Sequence, residues 1–416
     1  MHVRCWKEEG IKDMITYHEA QRLVLQQARS FGRETVPLEQ AAGRVLSGII
    51  RADRDYPPFP RATMDGYALR FGDLEKGIPR FTVVETIMAG DQSVRTIGSG
   101  ECYKIMTGAA VPASADIVIR REDMEEGVGF ARLLSALPAA ADPRFPWRPY
   151  QNIARQGEDL AAGTVVIDHP CICEPAVVGL LATLGCTMLT VERIPRIGLL
   201  TTGNEVVLPG DPVGPVQIRN SNRWLLGAAL QKMGVGLTSI AHVPDDPALL
   251  AVEIAGGLEH DILILSGGVS AGDADHVPGT LEAAGVRRLF HRVAIRPGKP
   301  VWAGIAPGGC MVFALPGNPF SCMVNMVLLI RPYLRACYGL PAVEPLGLPL
   351  AVARKKRSPL DEFFPVFLHG APAVLSPVAL NSSGDIRLGM GADLLALHPA
   401  ASGDLEAGDS VLCYPI

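Results

Sequence analysis

Three apolar runs end in residues that could hold a metal or a phosphate. Residues 197–200 run into Thr202, Asn204 and Glu205, and residues 237–242 into Asp245 and Asp246. Residues 262–265 run into Ser266, Gly267, Gly268, Ser270, Asp273 and Asp275. Parallel strands would bring all of these to one edge of a sheet. Carboxylates crowded on one edge repel one another, and a cation relieves the repulsion. Mg²⁺ is the natural one, because it takes oxygen ligands and commonly bridges to phosphate. Each Asp could instead cap the helix or turn that follows it. For any single Asp the cap is the better account; for the set, the cation is. Gly267 and Gly268 allow a tight turn and let a ligand approach the main chain.

A second set of residues has the opposite sign. Arg296 and Lys299 stand in R-P-G-K-P, on a turn constrained by proline. Pro316, Gly317, Asn318 and Pro319 follow the apolar run 312–315 and lead through Ser321 into a helix-like run, 322–330. Paired cations, N–H groups at glycine-rich turns and a helix N-terminus all favour anions. An oxyanion is the ligand they would take; a solvated surface turn is the alternative. Neither G-x-x-x-x-G-K-[ST] nor G-x-G-x-x-G occurs, so a common ATP or NAD site is not indicated. No spacing supports Ser-His-Asp or Cys-His catalysis.

The elements that must position these groups read as an α/β region. From residue 195, strands are expected at 197–200, 237–242, 262–265, 289–293, 301–303 and 312–315. Helices are expected at 221–233, with Ser221 as cap, 248–258 and 278–284. This alternation implies a mainly parallel sheet in a segment of about 140 residues. Upstream, 17–31 has apolar residues at helical spacing, and 44–50 reads as a short strand. The prolines at 57, 58 and 60 make a rigid, extended lead that presents Thr63 and Asp65. Short runs at 80–84, 93–97, 102–105 and 117–120 suggest a β-rich module. Residues 131–147 read as irregular, 175–184 as a helix and 188–191 as a strand. Beyond 349 the chain is strand-like, with turns at glycines. The expected layout is an extension over 1–14, a linker helix and β-rich module over 15–190, an α/β domain with a mainly parallel sheet over 191–340, and a small β domain over 341–416.

Length and composition narrow the class. A chain of 416 residues predicts roughly three domains. Hydrophobic content is 48% and mean hydropathy +0.22, as for a well-cored soluble protein. A net charge of −5 provides no basic field for nucleic acid. The nine cysteines include no C-x-x-C, which reads as reduced structural thiols. The polar N-terminus is unlike a signal peptide, and no apolar run reaches membrane-spanning length, so a cytoplasmic protein is expected.

The motifs occur in an order that carries a resemblance. They are P-P-F-x-x-x-x-M-D-G-Y-A, I-M-T-G-A-x-V-P, G-E-D, T-T-G-N-E, I-R-N-S-N, S-G-G-V-S-x-G-D-x-D, P-G-K-P and L-P-G-N-P-x-S. From about residue 15 to 340 the chain resembles the MoeA family, molybdopterin molybdenumtransferase, which is similar to the E domain of gephyrin. The resemblance implies insertion of molybdate into adenylylated molybdopterin, with Mg²⁺ assistance and release of AMP. It implies a homodimer whose active site lies between the α/β domain of one subunit and the β module of the other. Asp65 and Thr107 would then come from the second subunit. Glu205, Asp246 and Asp275 match catalytic and metal positions, Lys299 a catalytic or phosphate position, and Ser383 a family Ser-Gly. Pro316 and Pro319 would shape the pocket. Implied partners are a molybdopterin adenylyltransferase and proteins of molybdoenzyme maturation. Four positions depart from the family: Asn204 and Asn220 stand where Asp is usual, Arg296 where Lys is usual, and Pro365 near a usual Arg. Two other readings stay open: an enzyme like molybdopterin adenylyltransferase, and a non-catalytic scaffold of the same fold.

Overall fold

The structure is a computed structural model that describes residues 14–135, 147–269, 276–387 and 389–416. Chain contacts divide it into two compact units. One comprises Met1–Ser47, Pro170–Pro175 and Met188–Ile416, the other Gly48–His169 and Ala176–Thr187.

The larger unit is built on a six-stranded sheet. Its order is Ser239–Val243, Ile197–Thr202, Ile262–Ser266, Met311–Leu315, Trp302–Ile305, Arg287–His291. The first four strands pair in parallel, and Trp302–Ile305 runs antiparallel to both of its neighbours, Met311–Leu315 and Arg287–His291. The sheet is therefore mixed: only a short turn separates Trp302–Ile305 from Met311–Leu315, and a connection that short forces a hairpin. The central strands are buried on both faces, which explains their unbroken apolar runs. Ile262 and Ile264 enter one core, with Leu226 and Leu230 of helix Asn222–Lys232. Leu263 and Leu265 enter the other, with Leu250 and Ile254 of helix Pro247–Gly257. Alternation of side chains along a strand produces this division.

The N-terminal helix is Tyr17–Leu25, shorter than the periodicity predicts. Gly32, at φ +101°, turns the chain into strand Arg33–Pro37, and the Gly32 N–H is taken by Ser30 Oγ at 3.1 Å. Tyr17, Ala20 and Val24 lie in the same core as the central strands. Helix and α/β region therefore cluster together, across the boundary at 190 expected from sequence. The C-terminal strands join them. Asp361–His369, Leu394–His398, Ser410–Pro415 and Leu346–Pro349 form a sheet with Ile295–Arg296 added parallel at its edge. Phe363, Leu395, Leu397 and Tyr414 share the first core with Phe313 and Leu329. The Tyr17 and Tyr414 hydroxyls meet at 3.1 Å, and the Tyr17 and Phe363 rings pack edge-on at 5.3 Å.

The smaller unit centres on a six-stranded sheet. Its order is Ile117–Arg120, Gly66–Leu69, Glu101–Ile105, Arg80–Ile87, Phe130–Leu133, Met124–Gly127. A Cβ at Gly66 would lie 2.0 Å from the Ile119 carbonyl oxygen, so the D-G dipeptide is a close strand approach and not only a turn. The expected strand 93–97 is absent. Ser93 instead donates to Glu85 Oε2 at 2.6 Å and Arg95 Nη1 to the Val84 carbonyl at 2.8 Å, so side chains replace a ladder. Residues 131–133, expected to be irregular, belong to strand Phe130–Leu133, which is paired on both sides.

Candidate functional site

A cleft of about 2200 Å³ opens in the larger unit. One wall is the carboxyl edge of the parallel strands; the other is the C-terminal sheet with the segment leading into it. Of the expected site residues it is lined by Glu205, Ser266, Gly267, Gly268, Arg296, Lys299, Pro316, Asn318, Pro319, Ser321 and Ser383. Ser270, Asp273 and Asp275 lie outside the described residues.

At the carboxylate end, Asp245 and Asn204 are mutually hydrogen-bonded. The Asp245 N–H donates to Asn204 Oδ1 at 3.1 Å, and the Asn204 N–H donates to Asp245 Oδ2 at 3.3 Å. Asp245 Oδ1 accepts from the Thr202 hydroxyl at 3.0 Å. An amide at 204 thus keeps the acceptor that an Asp would supply, without a second negative charge beside Asp245. Asn220 is buried, and its Nδ2 donates to Thr201 Oγ1 at 2.9 Å. Its Oδ1 takes the Arg223 N–H at 3.1 Å. Asn220, not Ser221, therefore ties down the start of helix Asn222–Lys232; Ser221 makes no capping bond. Asp246 does not line the cleft. Its Oδ1 caps helix Pro247–Gly257, accepting from Ala248 and Leu249 at 2.8 and 3.1 Å. Among the described residues, no three His, Cys, Asp or Glu side chains form a metal-ligand group.

The turn after Ile262–Ser266 needs its glycines. Gly267 has φ +104°, and a Cβ there would sit 2.6 Å from the Thr202 carbonyl oxygen. The turn is held by Asn222, which spacing did not single out. Asn222 Nδ2 donates to Ser266 Oγ at 2.8 Å and to the Gly317 carbonyl at 2.7 Å. The Cys322 thiol donates to the Pro316 carbonyl at 3.0 Å. Asn325, fully buried, donates to the carbonyls of Ser321 at 2.9 Å and Gly298 at 3.4 Å. These links fix P-G-N-P and R-P-G-K-P relative to each other. Asn318 Nδ2 reaches Ser383 Oγ at 2.9 Å, which brings the C-terminal Ser into the site.

The other wall is cationic. Arg296 Nη1 donates to the Arg357 carbonyl at 2.9 Å. Arg354 Nη1 lies 2.7 Å from Glu362 Oε2 and 2.5 Å from His398 Nδ1, and the other ring nitrogen of His398 meets the Gly403 carbonyl at 2.7 Å. Burial, aided by Lys356 and Arg354, pushes the His398 imidazole below its usual range. Pro365 lines the cleft where the edge of its strand changes partner from Ile295–Arg296 to Val374–Pro377. A missing N–H is tolerated there.

Asp65 and Thr107 lie in the smaller unit. Asp65 Oδ1 accepts from the Thr107 hydroxyl at 2.6 Å and the Thr107 N–H at 2.7 Å. These two bonds, the hydroxyl first, hold the Asp65 carboxyl below its ordinary range. The two expected residues from this unit are therefore one hydrogen-bonded pair.

Residues 15–185 match the family model for the MoeA N-terminal region, domains I and II, and residues 198–336 match a probable molybdopterin binding domain. A protein of Mycobacterium tuberculosis named molybdopterin molybdenumtransferase 2 is 37% identical over 338 residues, covering 79% of this chain and 81% of that protein. A molybdopterin molybdenumtransferase of Staphylococcus aureus is 30% identical over 410 residues, covering 96% of this chain and 95% of that one. The crystal structure of a MoeA protein from Pyrococcus horikoshii superposes with a TM-score of 0.80 at 26% identity, over 97% of this chain and 100% of that one.

Proposed function

The chain belongs to the MoeA family, the molybdopterin molybdenumtransferases of molybdenum cofactor biosynthesis, and from that membership we propose that it inserts molybdate into adenylylated molybdopterin with Mg²⁺-assisted release of AMP. One observation supports this above the others: a single cleft is lined by the carboxylates Glu205 and Asp245 and by the cations Arg296 and Lys299. A substrate with a phosphoanhydride needs a metal end, and molybdate needs a cationic one.

The donor set fits Mg²⁺, which keeps several waters and takes only one or two protein carboxylates when phosphate supplies the rest. Glu205 and Asp245 would hold it, with Asp275 as a further ligand. Asp246, which caps helix Pro247–Gly257 and does not line the cleft, would contribute its charge beside Asp245 rather than a ligand atom. When bound, the ion polarises the phosphoryl oxygen and stabilises developing charge. The protein's own groups bind and orient. Ser266, Gly267 and Gly268, with Ser270 and Asp273, lie on the phosphate side. Arg296, Lys299, Pro316, Asn318, Pro319, Ser321 and Ser383 form the oxyanion side. Asp65 and Thr107 are supplied by the second subunit of a cytoplasmic homodimer.

The test is AMP release from adenylylated molybdopterin by the purified chain, with molybdate and Mg²⁺ each present or absent. Release is expected only with both. Release that ignores either would sink the reading, and no release at all would favour the scaffold. Asp65→Ala and Glu205→Ala should each abolish turnover, and mixed dimers of the two should regain part of it, since one composite site is then intact. Absence of rescue in verified mixed dimers would argue against a shared site.

A further inference from the structure

Residues 354–357 read Arg-Lys-Lys-Arg and all four line the cleft. Their exposure alternates: Arg354 and Lys356 are half-buried, Lys355 and Arg357 exposed. A two-residue period is that of extended chain, and here it divides four like charges between two roles. The inward pair is consumed. Arg354 is engaged by Glu362 and His398 and lies 4.1 Å over the Phe364 ring. Lys356 Nζ donates to the carbonyls of Leu360, His398 and Pro399 at 2.9, 3.0 and 2.5 Å. The outward pair makes no side-chain hydrogen bond or ion pair among the described residues.

The main chain that carries the outward pair is pinned. The Arg357 N–H donates to Glu362 Oε1 at 2.9 Å, and its carbonyl accepts from Arg296 Nη1 at 2.9 Å. Arg296 is in turn the register partner of Glu362 in the parallel pairing. Arg354 loses proton affinity first through burial and further through the charges of Arg357 and Arg296, so the three guanidinium groups feel one another. The one carboxylate among them, Glu362, is 2% exposed and already paired with Arg354. Surplus positive charge on a fixed backbone, facing a cleft, is an arrangement an anion completes.

We propose that Lys355 and Arg357, together with Arg296, form an anion-binding lip that grips a tetrahedral oxyanion or a phosphate of the substrate. The inward network of Arg354, Lys356, Glu362 and His398 positions it. Only the identity of the anion rests on the transferase reading; the lip itself does not.

The test is titration of the full chain with sodium molybdate, inorganic phosphate and AMP in turn, at fixed ionic strength. The variants are Lys355→Gln, Arg357→Gln and both together. Charge-assisted bonds of this kind predict that the double variant loses about tenfold or more in affinity for at least one anion. Its unfolding temperature should not change, because neither side chain is packed. Loss for molybdate alone assigns the lip to the oxyanion, and loss for AMP and phosphate alone assigns it to the phosphate; either outcome upholds it. Unchanged affinities for all three anions in the folded double variant overturn it, and so does a wild type that binds none of them. Glu362→Gln keeps an acceptor for the Arg357 N–H but removes the charge facing Arg354. Removing that negative charge should raise anion affinity when Lys355 and Arg357 are intact and not when both are Gln, and an equal change in both backgrounds would refute the coupling of Glu362 to the lip. A chain that binds the anions normally but releases no AMP would count against the transferase reading while leaving the lip standing.

Discussion

At the scale of the residue, geometry separates groups that the sequence presents as equals. Asp245 and Asp246 are adjacent, yet one faces the cleft with Asn204 and Thr202 while the other begins a helix. Asn caps as well as Asp does, so Asp246→Asn should leave the unfolding temperature unchanged and reduce turnover only through the lost charge. Full turnover in that variant would confine Asp246 to capping. Gly267 tests the turn. Replacing it with Ala forces a side chain onto a left-handed backbone, 2.6 Å from the Thr202 oxygen. A cost of about 1–3 kcal/mol in urea unfolding is expected, with turnover falling as the turn shifts. His398 gives a pH signature. Its folded imidazole is held below the ordinary value, so below about pH 6.5 the unfolded chain binds the extra proton first. Stability from this group is complete above that pH and is lost as pH falls through it. His398→Gln should therefore weaken the acid dependence of the urea midpoint between pH 8 and pH 5.5; an identical dependence would contradict it. Gly267 and Gly268 were legible because glycines ending an apolar run mark a turn that needs a left-handed backbone. Asn222, Asn325 and the alternation within Arg-Lys-Lys-Arg were not, because an amide bridging two loops leaves no periodic trace.

At the scale of the element, buried strands were the most legible part. Runs such as Ile262–Ser266 are apolar throughout only because both faces are covered. Boundaries failed where a side chain or a partner decided them. Residues 322–330 were expected as one helix; the chain forms helix Pro319–Asn325, a π turn over Met326–Ile330 and helix Arg331–Cys337. A π turn inside a helical run commonly marks a functional site, and here it follows Asn325, whose side chain holds the R-P-G-K-P turn. Asn325→Ala would leave the Gly298 and Ser321 carbonyls without their donor. We expect about 1–3 kcal/mol of destabilisation in urea unfolding, with a loss of anion affinity because the turn it holds carries Arg296 and Lys299; wild-type anion affinity in this variant would contradict the link. The two-residue strand Ile295–Arg296 was invisible in sequence, since its partner lies more than sixty positions away.

At the scale of the whole chain, contacts gather the N-terminal helix, the α/β region and the C-terminal strands into one compact unit. Tyr17, Phe363 and Tyr414 come from the beginning and the end of the described chain and meet in one core. Such long-range contacts have no local signal, which is why the C-terminal strands read as separable. Truncation after Leu340 should therefore lower the unfolding temperature of the remainder and expose apolar surface to a hydrophobic dye. A remainder that melts like the intact chain would show the contact to be incidental. No helix among the described residues is long and apolar enough to cross a membrane.

The strand Ile295–Arg296 also constrains how this architecture can be rearranged. The C-terminal sheet draws one of its strands from the middle of the chain, so its fold is not written in one continuous stretch. A chimera that exchanges residues 341–416 between relatives would inherit a mismatched seam, with Asp361 and Glu362 facing a foreign 295–296. A graft that carries both pieces together keeps the seam, and the cations mounted on it, intact.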